Sequence, residues 1–256
     1  MFLLIAGTLL GSSGVGFAAG RWSSHHSKTL HESFGVVQAA LITLVALIIA
    51  FGLSMSVARF EARRIAVVND ATAIGTAYLR AQTLREPVRS LSLPLYLEYT
   101  DASILLSTSV PGSANARRAI DREEMLQRRL WKLAAESLKA DPDGNASRLY
   151  VQSLNEMIDA QATRLDDLEN RVPAPVGYLE LLGAALALGL LSFYLALQSR
   201  GVVTILLATG FFALLIFVNF DLDRPSRGFI QVPSASLYEL RASMLLPPAA
   251  GMPVSP

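Results

Sequence analysis

Hydrophobic and polar positions fall in long blocks along this chain. Residues 2–19, 34–58, 176–197 and 202–220 are apolar stretches with almost no charge. Stretches of about 18–25 residues, at a rise of 1.5 Å per residue, reach roughly 27–37 Å, enough to cross a hydrocarbon core about 30 Å thick. The pattern predicts four membrane-spanning helices. Between the second and third lies a polar block, residues 59–175, which carries most of the charge.

Inside that block the apolar period stays helical. From Phe34 to Arg85 there is no proline, and Val68, Ala71, Gly75, Tyr78 and Ala81 recur at helical spacing. The second span is therefore predicted to run on, unbroken, as a stalk. Glu86-Pro87 opens the next helix, since proline suits a first turn, and Pro94 is predicted to interrupt it. Residues 119–140 form an amphipathic helix with Met125, Leu126, Leu130, Leu133 and Ala134 on one face. The run Asp141-Pro142-Asp143-Gly144-Asn145 is a turn. Residues 150–171 form a further helix striped by Val151, Leu154, Ile158, Leu165 and Leu168, and Pro173 and Pro175 end it before the third span. No strand-like alternation extends beyond a few residues. The fold class is all-α and integral to the membrane. It divides into spans 1 and 2 (1–58), a helical domain (59–175), spans 3 and 4 (176–220) and a tail (221–256).

Composition changes this picture little. A mean hydropathy of +0.41 over 256 residues reflects the four spans. The net charge of +1 gives no electrostatic preference for nucleic acid. The absence of cysteine excludes disulfides, thiolate metal sites and cysteine catalysis. Because no Lys or Arg precedes Arg21, the first segment reads as a retained span rather than a cleaved signal. Its Gly7/Gly11 and Gly16/Gly20 spacings suit close helix packing in lipid.

Basic residues near the span ends set orientation. One side has Arg59, Arg63, Arg64, Arg164, Arg171, Arg224, Arg227 and Arg241, and the other has Arg21, Lys28 and Arg200. The domain and both termini are therefore expected in the cytoplasm, and the protein in the cell inner membrane as a multi-pass chain.

Few residues offer chemistry. Glu180 lies about one turn inside the third span, where a charge is costly; it functions there, snorkels outward or faces protein. Asp221, Asp223 and Arg224 follow the last span and read as a regulatory clasp or, more simply, an interfacial anchor. Two carboxylates fall far short of the six to eight oxygens calcium takes. His25, His26, His31 and Glu32 lack metal-ligand spacing, so no metal is expected. Asp70, Asn155, Asp159 and Arg164 are polar positions on amphipathic helices and are expected to pair between helices. No nucleophile–base pair, phosphate loop or paired acid/base signature is present, so no enzyme activity and no cofactor are expected.

Several motifs resemble a bestrophin-like family of bacterial membrane proteins. The first runs Asp70-Ala71-Thr72-Ala73-Ile74-Gly75-Thr76-Ala77-Tyr78-Leu79-Arg80-Ala81, followed by Glu86-Pro87-Val88-Arg89 and Tyr99. The second is Leu154-Asn155-Glu156-Met157-Ile158-Asp159 with Arg164 and Val172-Pro173. The third is Asp221-Leu222-Asp223-Arg224-Pro225 with Gly228, Ile230 and Val232. Two places depart from the family pattern: Leu91-Ser92-Leu93-Pro94-Leu95, and Ser103, where the family often has arginine.

The resemblance implies distant similarity to bestrophins, which are pentameric anion channels whose second span lines the pore. On that basis the protein is expected to be a homo-oligomer, a pentamer by comparison, that sits in the lipid bilayer and passes inorganic anions. The stripe Gln38, Ile42, Val45, Ile49, Gly52, Ser56 and Arg59, spaced alternately by four and three, is then expected to line the pore. An apolar middle could gate by dewetting, and Arg59 would favour anions at the inner mouth. The alternative is a membrane scaffold or sensor whose cytoplasmic helices bind a partner.

Overall fold

The computed structural model describes residues 1–23, 31–198, 201–224 and 228–249. Its helices, in chain order, are α1 (Phe2–Ser23), α2 (His31–Ala81), α3 (Val88–Thr108), α4 (Ala114–Ala140), α5 (Asn145–Glu169), α6 (Ala174–Leu197), α7 (Val202–Leu222) and α8 (Ala235–Met244). No strand occurs among the described residues. Four helices are long and apolar enough to cross a membrane. The chain divides into two compact units: Met1–Arg59 with Arg171–Arg224, and Phe60–Asn170 with Pro225–Pro256. The C-terminal tail thus belongs to the same unit as the polar block, although from sequence it reads as a separate segment.

The first unit buries one apolar cluster. Ile5 and Leu9 of α1, Val45 and Ile49 of α2, Ala184, Ala187 and Leu188 of α6, and Ala213 and Ile216 of α7 meet there. Small residues bring α1 and α6 together: a Cβ at Gly16 would overlap the Gly189 carbonyl. Ser12 Oγ donates to the Ala185 carbonyl at 2.6 Å, and the Ser13 and Thr209 hydroxyls meet at 3.0 Å. Such bonds hold helices together where lipid supplies no hydrophobic drive between them. Of the two expected glycine pairs, only Gly16/Gly20 packs this way; Gly7 and Gly11 meet open space.

The second unit is a helical layer built from the distal half of α2 with α3, α4, α5 and α8. Its core includes Ile74, Tyr96, Tyr99, Leu126, Leu130, Tyr150, Leu154, Met157 and Leu237. Tyr96 is central, edge-on to Tyr78 at 6.2 Å and to Tyr150 at 6.5 Å. Ser113 caps α4 by accepting from the Ala116 N–H at 3.2 Å. Met125, expected on the buried face of α4, lies exposed beside buried Leu126.

Pro94 does not interrupt α3, which is helical from Val88 to Thr108. Proline removes one N–H, the one that would reach the Ser90 carbonyl, so the helix forgoes one bond. Burial of Leu95, Tyr96 and Tyr99 immediately beyond it outweighs that loss.

Candidate functional site

Two buried polar clusters stand out, one in each unit. In the first unit Glu180 is buried to 1% exposure. Both its oxygens accept from Asn219 Nδ2, at 2.7 Å each, and Ser56 Oγ donates to Asn219 Oδ1. Glu180 therefore faces protein and does not snorkel. The cluster exists because Gly52 lets α2 approach: a Cβ there would overlap Glu180 Oε1 and lie 2.8 Å from Asn219 Nδ2. A small pocket open to solvent touches Ser56, Glu180, Asn219 and Asp223. Asp223 Oδ1 accepts from the Val172 N–H at 3.0 Å and so fixes the chain entering α6. Asp221 is buried, and Arg224 is exposed.

Gly52→Ala is expected to cost about 1–3 kcal/mol or more, because the added methyl meets a carboxylate held on both oxygens. Gly210→Ala, at a helical position with nothing within 4 Å, is the control and should be neutral or mildly stabilising. The thermal unfolding midpoint in detergent measures both; equal midpoints would mean α2 yields freely at Gly52.

In the second unit Arg164 of α5 and Asp70 of α2 form an ion pair at 2.5 Å, with 1% and 0% of their side chains exposed. Arg164 also donates to the Ser103 carbonyl at 2.9 Å and to Ser107 Oγ at 2.5 Å. Ser103 Oγ donates to Glu123 Oε1 at 2.5 Å, and Gln161 Nε2 donates to Glu123 Oε2 at 2.9 Å. Gln127 Nε2 extends the network to Tyr99 Oη at 3.0 Å. Burial pushes the Asp70 carboxyl above its usual value while Arg164 pulls it down. Asn155 and Asp159, grouped with these two from sequence, remain exposed.

Glu123 is raised to about 7, first by burial and then by the Asp70 charge; Arg164, Ser103 and Gln161 oppose the rise. The folded state thus keeps a proton that the unfolded chain releases between pH 4.5 and 7. The resulting stability is fully present below pH 4.5 and is lost as pH rises through 7; a shift of this size amounts to roughly 3 kcal/mol. Glu123→Gln should flatten the fall in unfolding midpoint between pH 5.5 and 8.5, and should stabilise the protein at the upper end. Parallel profiles for the two proteins would place the titration elsewhere.

The stripe expected to line a pore is turned inward. Gln38, Val45, Ile49, Gly52 and Ser56 are buried within the chain's own first unit, while Ile42 and Arg59 are half-buried. Val45 and Ile49 join the cluster with α6 and α7, and Gly52 and Ser56 hold the Glu180–Asn219 group. In lipid, an apolar face packed on neighbouring helices reads in sequence like one facing an axis. The free face of α2 carries Thr43, Leu44, Leu47, Ala50, Phe51 and Ser54.

The sequence reading missed Asn219, Glu123 and Gln161. Glu123 had a signal: it continues the α4 stripe Leu126, Leu130, Ala134 at spacings of three and four, an acid on a buried face. The histidine group, His25, His26, His31 and Glu32, lies outside the described side chains. Among the described residues no group of three or more His, Cys, Asp or Glu is placed to hold a metal.

The model of the bestrophin-like domain matches residues 5–237. The chain belongs to the bestrophin-like family. Its fold is that of a bacterial bestrophin homologue from Klebsiella pneumoniae. A single-residue variant of that protein superposes with a TM-score of 0.73 at 13% identity, covering 95% of this chain and 97% of the other. The structure of that homologue phased on zinc gives 0.68 at 14% identity, covering 96% and 97%. No curated protein matches the sequence. At such identity the likeness carries the fold, and the family model carries the membership. The departure at Ser103 falls inside the buried network, where the serine hydroxyl meets Glu123 and its carbonyl meets Arg164.

Proposed function

We propose that this bestrophin-like membrane protein is one subunit of an oligomeric channel, with the free face of α2 turned to the axis. One observation carries this reading: α2 is a continuous helix of 51 residues whose outward face no other helix among the described residues buries. In the first unit that face presents Thr43, Leu47, Ala50 and Ser54, two hydroxyl positions flanking an apolar middle. In the second unit it leaves Ile65, Val68 and Leu79 exposed in an otherwise charged layer. Such apolar side chains beside Thr72 suit contact with further copies of the chain. Inorganic anions as the permeant species, and a five-fold ring, follow from the bestrophin resemblance. Arg59, half-buried at the inner end of the span, is proposed to bias charge there.

The arginine asymmetry supports a cytoplasmic second unit in the inner membrane. The chain has no cysteine to interfere, so single cysteines report cleanly. An impermeant thiol reagent on intact cells should label Ser24→Cys and spare Ser113→Cys; the reverse pattern would invert the topology.

The deciding experiment is current measurement on purified protein in planar bilayers, with a chloride gradient and particle images for stoichiometry. The reversal potential should move toward that of chloride. A well-folded oligomer that passes no current over a range of pH and calcium would reject the channel and favour the scaffold or sensor.

A further inference from the structure

In the second unit, α4 and α5 are neighbours whose solvent faces carry opposite charge. Between Met125 and Ala135 every charge on α4 is positive: Arg128, Arg129 and Lys132, all exposed. Glu124 and Glu136 bound this patch on either side. On α5, from Val151 to Glu169, the exposed charges are Glu156, Asp159, Asp166 and Glu169, all negative. Arg164, the cation in that stretch, is buried and already neutralised by Asp70. Among the described residues no ion pair joins either set to an opposite charge. The two faces therefore point away from each other within one chain.

The patches nevertheless lie at one height. Gln161 Nε2 donates to Glu123 Oε2 at 2.9 Å, and the Ser137 and Ser147 hydroxyls meet at 2.7 Å. The two helices therefore run antiparallel. Arg128, nine residues before Ser137, stands level with Glu156, nine after Ser147. α5 in turn runs back along α2: Arg80 Nη1 donates to the Leu149 carbonyl and Arg63 Nη2 to the Asn170 carbonyl, each at 2.8 Å. Rotation about an axis that follows α2 keeps each patch at its height. A basic patch on one copy then meets an acidic patch on the next without a shift along the axis. Such a contact joins unlike surfaces, the kind that closes into rings.

The basic patch also has the composition of an interface centre. Trp131 is 43% exposed beside the arginines, and Met125 is 39% exposed. Trp, Met and Arg are the residues enriched at such centres. Exposed charge pairs are individually worth little, so the indole supplies the buried area while the charges fix partner and register.

We propose that the α4 face around Arg128, Arg129, Trp131 and Lys132 docks on the α5 face of a second copy of this chain, at Glu156 and Asp159. The contact rests on the oligomer proposed above and names the surfaces that join one second unit to the next.

The test uses the full-length purified protein, which has no native cysteine. Lys132 and Gln152, both exposed, lie five residues before Ser137 and five after Ser147, so they are level. Oxidised Lys132→Cys with Gln152→Cys in one chain should give a ladder of linked chains on a denaturing gel. Either single variant should give no linked chains, because the contact joins unlike faces. Adding Arg128→Glu with Arg129→Glu should slow ladder formation about tenfold through like-charge repulsion. Further addition of Glu156→Arg with Asp159→Arg should restore it. All these positions are exposed, and the unfolding midpoint checks that each variant folds. Particle images of the same samples count the copies. Multi-copy particles that give no ladder, or a ladder indifferent to the charge reversal, would overturn this contact and leave the oligomer standing. Single-copy particles would overturn both.

Discussion

Asp70→Ala is expected to unfold the second unit under conditions where the wild type is stable. The substitution strands the Arg164 guanidinium, which is 1% exposed, with a full charge and no counter-ion at that position. Breaking a buried pair by removing one partner costs about 3–5 kcal/mol, against a whole-domain stability of about 5–15 kcal/mol. Arg164→Ala should be comparable or worse, since it also strips bonds from the Ser103 carbonyl and Ser107. The paired replacement Asp70→Leu with Arg164→Met removes both charges and should recover much of the loss, because desolvation of the pair disappears with it. Trp131 lies in α4 and Trp22 in α1, so a Trp22→Phe background lets tryptophan fluorescence report the second unit alone. A single Asp70→Ala variant within about 1 kcal/mol of wild type would mean that water reaches Arg164 readily.

This ion pair also marks how far the sequence could be read. Asp70 and Arg164 were both visible as polar positions on amphipathic helices, and neither has its partner on its own helix. What the sequence lacked was the packing angle that brings α2 and α5 together, and so it equally admitted Asn155 and Asp159, which stay in solvent. The long second helix was legible, because a stretch without proline and with steady apolar spacing has no other regular form available. The Pro94 helix was misread because proline is a local signal, whereas the burial of Tyr96 and Tyr99 is a tertiary one. The inward face of α2 was misassigned for a different reason. Hydropathy separates lipid from water, but it does not separate a neighbouring helix from an axis. Gly52 was the overlooked clue: a glycine on a helical stripe marks close approach, and here it is approach to the Glu180 carboxylate.

Leu47→Ala is expected to raise conductance, and Ile49→Ala is not. The two residues sit at the same depth of α2 on opposite sides. Leu47 is 52% exposed on the free face, and Ile49 is 2% exposed inside the first unit. If the free face lines an axis, Leu47 repeats around a ring, and its bulk excludes water at mid-membrane. Truncation widens and wets that ring in every subunit at once. A barrier lowered by about 1.4 kcal/mol would raise the current about tenfold. Ile49→Ala instead opens a cavity among Val45, Ala184 and Ile216 and should cost about 2–5 kcal/mol of stability with little change in single-channel current. Single-channel recording in planar bilayers and the unfolding midpoint, taken on the same preparations, separate the two effects. If Ile49→Ala raised the current and Leu47→Ala did not, the axis would lie on the face that the single chain buries, and the subunit would have to open its own bundle to conduct.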